Sequence, residues 1–165
     1  SRVGPMTTSH HIDELMRTIG ARAGLDEVRA YEDGWILLDD DETVVFAVHD
    51  QADDLLTLWA NIAIPPETDR LGTYALLLRY NSLWSGTDGI RMALKGPRDT
   101  VVQIFDMPAS QLDLAGFETV LAGFLARVGA WREIVRQGAP RDWQSQPAVA
   151  LFGLGPMFGD QVAHG

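Results

Sequence analysis

The sequence predicts an α+β domain, an antiparallel twisted sheet with helices packed on it, in the order α-βββ-α-ββ-α. Three observations carry this expectation. Apolar residues recur at helical spacing in three segments: near the start, over Glu67–Trp84, and from about Ser110 to Gln137. Between them lie short runs rich in β-branched and aromatic residues. The connections between those runs are a few residues long, too short for a parallel crossover, which needs about a dozen.

In the first helix Ile12, Leu15, Met16, Ile19 and Ala23 fall on one face. Thr8 or Ser9 can cap its start, Asp13 and Glu14 sit in the first turn, and Gly24 can end it. Three strands are then expected. Trp35–Leu38 follows the turn signal Asp33-Gly34, Thr43–Val48 follows the acidic turn Asp39–Glu42, and Leu55–Ile64 ends at Pro65-Pro66. The run Val44, Val45, Phe46, Val48 has no polar side, as in a strand buried on both faces, or buried on one and adhesive on the other.

The helix over Glu67–Trp84 carries two apolar stripes. Leu71, Tyr74, Ala75 and Leu78 form one, and Leu76, Leu77, Tyr80, Leu83 and Trp84 form the other. One stripe suffices for packing on a sheet, so the second calls for another surface, most simply a two-fold related copy. A helix wrapped within its own chain is the alternative. Asp88-Gly89 then turns into a strand with Ile90, Met92 and Leu94 alternating with Arg91, Ala93 and Lys95, and Gly96–Asp99 leads into Thr100–Phe105. The last helix carries Phe117, Val120, Leu121, Phe124, Leu125, Val128, Trp131 and Val135 on its core side, with Arg127, Arg132, Arg136 and Arg141 read as a solvated, dipole-complementing cluster near its end.

Composition limits the function. With 46% apolar and 22% charged residues, the chain has the proportions of a globular domain. A formal net charge of −10 repels phosphate backbones and favours a basic partner or simple solubility, so nucleic-acid binding is not expected. The absence of cysteine removes disulfides, thiolate metal sites and cysteine nucleophiles, and suits a reducing compartment. Neither a membrane-spanning run nor a secretory leader is read from the sequence, which points to the cytoplasm.

No chemistry-bearing motif emerges. His10, His11, His49 and His164 lack metal-ligand spacing, and Asp39–Glu42 and Asp50–Asp54 lack the spaced ligands and mid-loop glycine of a calcium loop, so they read as turn carboxylates. Phosphate loops and nucleophile elbows are also missing. The expectation is a binding protein without catalytic residues, metal or cofactor.

The stretches His11–Gly20, Leu76–Trp84 with its Leu77-Leu78-x-x-Asn81 pattern, Gly89–Leu94 and Leu112–Trp131 together resemble the CesT-like (class I) type III secretion chaperones. The resemblance covers roughly Ile12 to Arg136. It implies a cytoplasmic bacterial homodimer that binds the N-terminal region of one or more effectors in extended form, with the secretion ATPase as a further partner. It implies a two-fold interface at Leu76, Leu77, Tyr80, Leu83, Trp84, Ile90 and Met92. For the effector it implies apolar patches drawn from Leu15, Met16, Ile19, Ile36, Leu38, Phe46 and Val48, some of which must be core. The alternatives are a dimeric adaptor of the same fold unconnected with export, and a small carboxylate enzyme.

The chaperone domain is thus expected over residues 9–137, with residues 1–5, ahead of Met6, read as an expression remnant. Residues 138–165 form a tail broken by Pro140, Pro147 and Pro156 that still carries Trp143, Leu151, Phe152, Leu154, Met157 and Phe158. Such a tail is richer in apolar residues than a plain disordered one and is expected to lie over an apolar groove. Truncation after Gly138 should then raise effector affinity or change self-association, read by titration and sizing; unchanged values for both would refute it.

Overall fold

The protein is seen in a computed structural model that describes residues 3–40, 42–83 and 87–138, with side chains from Ser9 onward. Asp41, Trp84, Arg141, His164 and the predicted tail beyond Gly138 lie outside the described residues. The elements are α1 (Val3–Ala23), β1 (Glu27–Tyr31), β2 (Gly34–Leu38), β3 (Val44–Asp50), β4 (Leu55–Ala63), a 3-10 turn (Glu67–Asp69), α2 (Arg70–Asn81), β5 (Arg91–Lys95), β6 (Thr100–Pro108) and α3 (Leu114–Gln137). The α+β architecture is as predicted, with one strand more. β1 escaped the sequence reading because all of its residues but Val28 are exposed, so it has neither an apolar run nor alternation. It is specified by pairing instead: Glu27 lies opposite Leu38 and Tyr31 opposite Gly34.

The six strands form one sheet in the order β1-β2-β3-β4-β6-β5. The described residues divide into two compact units, residues 3–60 with 105–122, and residues 61–104 with 123–138. In the first unit β1, β2, β3 and β4 are successive antiparallel neighbours. In the second, β5 pairs antiparallel with β6, Met92 opposite Gln103 and Leu94 opposite Val101.

The β1–β2 turn lies one residue earlier than Asp33-Gly34 suggested. Glu32 takes the left-handed conformation, φ 51°, and Gly34 is already in β2. Gly34 is there because of close approach: a Cβ at this position would meet the carbonyl oxygen of Ala47 at 2.1 Å.

Helix α1 begins at Val3, ahead of the predicted cap and within the residues read as a remnant. Ile12, Leu15, Met16 and Ile19 are buried, as its periodicity required. Gly24 ends it with φ 69°, and the Leu25 N–H bonds the Gly20 carbonyl at 2.9 Å, closing the last turn. Helix α3 buries Phe117, Val120, Leu121, Phe124, Val128, Trp131 and Val135. By length and composition alone it is also apolar enough to cross a membrane.

The arginines of α3 correct the expectation of a solvated cluster. Arg127 and Arg132 are only 4% and 8% exposed. Arg127 donates to the Tyr80 hydroxyl at 3.1 Å and to Asp88 at 3.3 Å, while Arg132 donates to the carbonyls of Ile62 and Asn61 at 3.1 and 3.2 Å. Buried guanidinium groups persist where their donors are met in this way. Arg136 alone of the described three is exposed in the last turn.

Gly34→Ala should destabilise the chain by about 2 to 3 kcal/mol, because the clash is with backbone that cannot rotate away. Urea unfolding checks this as a lowered midpoint with an unchanged slope.

Candidate protein-binding surfaces

Among the described residues two apolar surfaces remain uncovered, one in each unit. The first is built on α2. At about 100° per residue, Thr73, Leu76, Leu77 and Tyr80 share one side and all are buried. Tyr80 meets Trp131 edge to face, centroids 4.9 Å apart. Burial raises the Tyr80 hydroxyl above the usual phenol range, against the opposing pull of the Arg127 charge. The opposite stripe points outward, with Leu71 83% and Leu78 71% exposed.

At the C-terminal end of α2, Asn81 holds the helix against β5. Its amide donates to the Met92 carbonyl at 2.8 Å and its carbonyl accepts from the Met92 N–H at 2.9 Å. Asn81 thereby takes the place of a neighbouring strand at that point of the sheet edge. A groove of about 380 Å³ lies alongside, lined by Tyr74, Leu77, Leu78, Asn81, Met92, Ala93 and Leu94. Its wall is nearly all carbon, and Leu94 is 41% exposed.

The second surface is one face of strands β1 to β4. Alternation sends Leu37, Val45, Ala47, Leu56, Leu58 and Ala60 to one side, where every one is fully buried. That side faces α1, since a Cβ on Gly20 would lie 3.1 Å from Val28. The other side is apolar over β2–β4, with Glu27 and Arg29 of β1 at its edge. Ile36 pairs with Phe46, and Phe46 with Trp59, so the three stand in one row. Phe46 stacks on Trp59 at 4.1 Å and 12°, and Tyr31 meets Phe46 edge-on at 6.3 Å. Ile36 is buried, whereas Leu38, Val44, Phe46 and Trp59 are half-buried. Tyr31 and Val48 are 46% and 42% exposed, and Gly34, opposite Val48, contributes no side chain to cover it.

Acidic turns close both ends of this face. Asp40 accepts from the backbone N–H groups of Glu42 and Thr43 at 2.8 Å each, and Asp50 from those of Ala52 and Asp53 at 3.0 and 3.2 Å. These two carboxylates therefore act as turn acceptors. Asp39 is different. Partial burial raises its carboxyl above the usual range, and the charges of Asp40 and Asp26 push it further.

Residues 14–132 match the profile of the Tir chaperone protein (CesT) family. The chain belongs to this family. The resemblance in its sequence to type III secretion chaperones is borne out. The fold agrees: a chain of the ExsC–ExsE complex superposes with a TM-score of 0.66 at 22% identity, covering 78% of this chain and 96% of that one. A chain of the HopA1–SchA chaperone–effector complex gives 0.61 at 16% identity, covering 78% and 97%. No curated protein matches by sequence.

Against this CesT-family frame, the residues singled out from sequence divide unevenly. Of those assigned to the dimer, Leu76, Leu77, Tyr80, Ile90 and Met92 are buried in their own chain, Leu83 is half-buried, and Trp84 lies outside the described residues. The two stripes exist, but the outward one is Leu71–Leu78. Of those assigned to the effector, Leu15, Met16 and Ile19 are core, while Ile36, Leu38, Phe46 and Val48 share the open sheet face. Tyr31, Val44 and Trp59 join that face and were missed. Val44 and Trp59 could have been found by counting in twos from Phe46 and its pairing partner; Tyr31 sits on the strand that gave no signal.

A carboxyl raised in the folded state binds its proton more tightly there than in the unfolded chain. Its contribution to stability therefore falls as pH rises through its titration. Asp39→Asn should raise the melting temperature at neutral pH, and the gain should vanish at acid pH, where the carboxyl is protonated in both states. Melting curves across pH read this directly.

Proposed function

We propose that this CesT-family chaperone works as a homodimer in the bacterial cytoplasm, holding the N-terminal region of an effector extended against the open face of β1–β4. The observation that carries the proposal is that face: an apolar surface with two exposed members, Tyr31 and Val48, on strands whose reverse side already buries Leu37, Val45, Ala47, Leu56, Leu58 and Ala60. Contiguous apolar surface of this kind marks a binding site. An extended chain suits it, because side chains at alternate positions meet a pleated surface in register. The outer edge of β1 offers main-chain groups for strand addition. The HopA1–SchA complex, described as a chaperone–effector complex, supports the reading through its shared fold.

The second copy is placed on α2. Leu71, Leu78 and Leu94 are three of the most exposed large apolar side chains among the described residues, and the last two border the groove over Met92. An isologous contact there would cover them while leaving the sheet face of the first unit to the effector. The stripe assigned to the partner from sequence then serves as the floor of the interface rather than its contact layer. Handing the effector on to the secretion ATPase completes the role that family membership suggests.

Two variants separate the surfaces. Leu78→Asp should convert the dimer to a monomer by analytical ultracentrifugation while remaining folded, since Leu78 is 71% exposed. Tyr31→Ser combined with Val48→Ser should keep the dimer and lose the effector that co-purifies from the native host, identified by mass spectrometry. A dimer untouched by the first, or a full complement of effector after the second, would contradict the assignment.

A further inference from the structure

The net charge is confined to one part of the chain. Residues 26–60 hold eleven of the 23 acidic side chains and one of the 13 basic ones, Arg29. That stretch alone supplies the formal charge of −10, and the twelve acids and twelve bases elsewhere cancel. Solubility does not require such concentration, because repulsion between copies follows from net charge wherever it sits.

Within its unit the charge is ordered as well. Consecutive antiparallel strands collect their turns at two ends. Glu27 lies opposite Leu38, which brings Asp26 and Glu27 to the same end as Asp39, Asp40 and Glu42. Gly34 lies opposite Val48, which brings Glu32 and Asp33 to the end that holds Asp50, Asp53 and Asp54. Between the two ends run the apolar rows of Phe46, Trp59 and Val48. At the first end the Asp39 carboxyl is raised, first by partial burial and then by the charges of Asp40 and Asp26. Arg29, with Glu27 at 4.0 Å, is the single cation of the stretch.

We infer that the segment received by this face is an extended chain with apolar residues at alternate positions and lysine or arginine on both flanks, each flank meeting one acidic end. The inference rests on the chaperone reading of the same face and adds the chemistry of what it selects. Strand β3 has seven residues, so the flanks bracket roughly seven extended residues at about 3.3 Å each. Partial burial of the apolar centre lowers the local dielectric, while the exposed flanks stay sensitive to salt. The acidic ends thus choose register and orientation, and the aromatic rows supply most of the affinity.

The test uses the full chain and labelled peptides with one core of alternating leucine and serine, flanked by lysine, glutamine or glutamate. The lysine-flanked peptide should bind about tenfold more tightly than the glutamate-flanked one at low salt, from a few exposed pairs acting together. The gap should close in high salt. Replacing Glu27 and Asp39 at one end and Asp33 and Asp53 at the other by their amides should remove the gap without lowering the melting temperature. Equal affinities for all three peptides, lost together in the Tyr31→Ser/Val48→Ser variant, would overturn the charge selection and leave the sheet face standing as a docking surface. No binding by any peptide, or binding indifferent to that double variant, would overturn docking on this face and the inference with it.

Discussion

Among the described residues, both faces of the sheet in β2–β4 are apolar while only one is covered, and most of what is distinctive about the protein follows from that. The covered side obeys the ordinary rule: six aliphatic side chains, from Leu37 to Ala60, have no solvent contact. The other side keeps the same chemistry without a lid. Its aromatic residues shelter one another instead, Phe46 on Trp59 and Tyr31 on Phe46. Stacking reduces the exposed area without removing it, which leaves a surface that is stable in water and still gains from a partner.

The same logic recurs on α2, with a different solution. There the helix is fixed on one side by Leu76, Leu77 and Tyr80, and at its end by the two bonds between Asn81 and Met92. Buried polar contacts support this packing from behind: Arg127 reaches both the Tyr80 hydroxyl and Asp88, tying α3 to the helix and to the turn that enters β5. With the helix so constrained, Leu71 and Leu78 have no route back into the core. Their exposure is imposed by the fold rather than tolerated by it, as the proposed dimer contact requires.

The carboxylates show how one residue type serves different ends. Asp40 and Asp50 are consumed by turns, while Asp54 ties to a distant segment, accepting from the Ser110 N–H at 3.0 Å and hydroxyl at 2.5 Å. Asp39 is partly buried and lies in the field of Asp40 and Asp26, which together raise its carboxyl. A protein that holds unfavourable charge beside an uncovered apolar face is less stable alone than it could be, and the difference is available to a basic, apolar partner. CesT-family membership points to an effector as that partner, and the charge pattern is the ground for the basic flanks inferred for it.

The sequence by itself determined the element types, the α+β class, the two stripes of α2, the core sides of α1 and α3, and the resemblance that family membership bears out. These follow from periodicity, which is local and survives in a linear string. Tertiary structure decided what periodicity leaves undetermined. It showed that Leu76, Leu77 and Tyr80 face inward and Leu71 and Leu78 outward, because two equally apolar stripes carry no label for inside. It added β1, whose exposed residues are held by register rather than by burial, and it buried Arg127 and Arg132, whose partners lie some 40 to 70 residues away in sequence. It also split the effector candidates into core and surface, since Leu15 and Phe46 look alike until the neighbouring layer is known to be present over one and absent over the other.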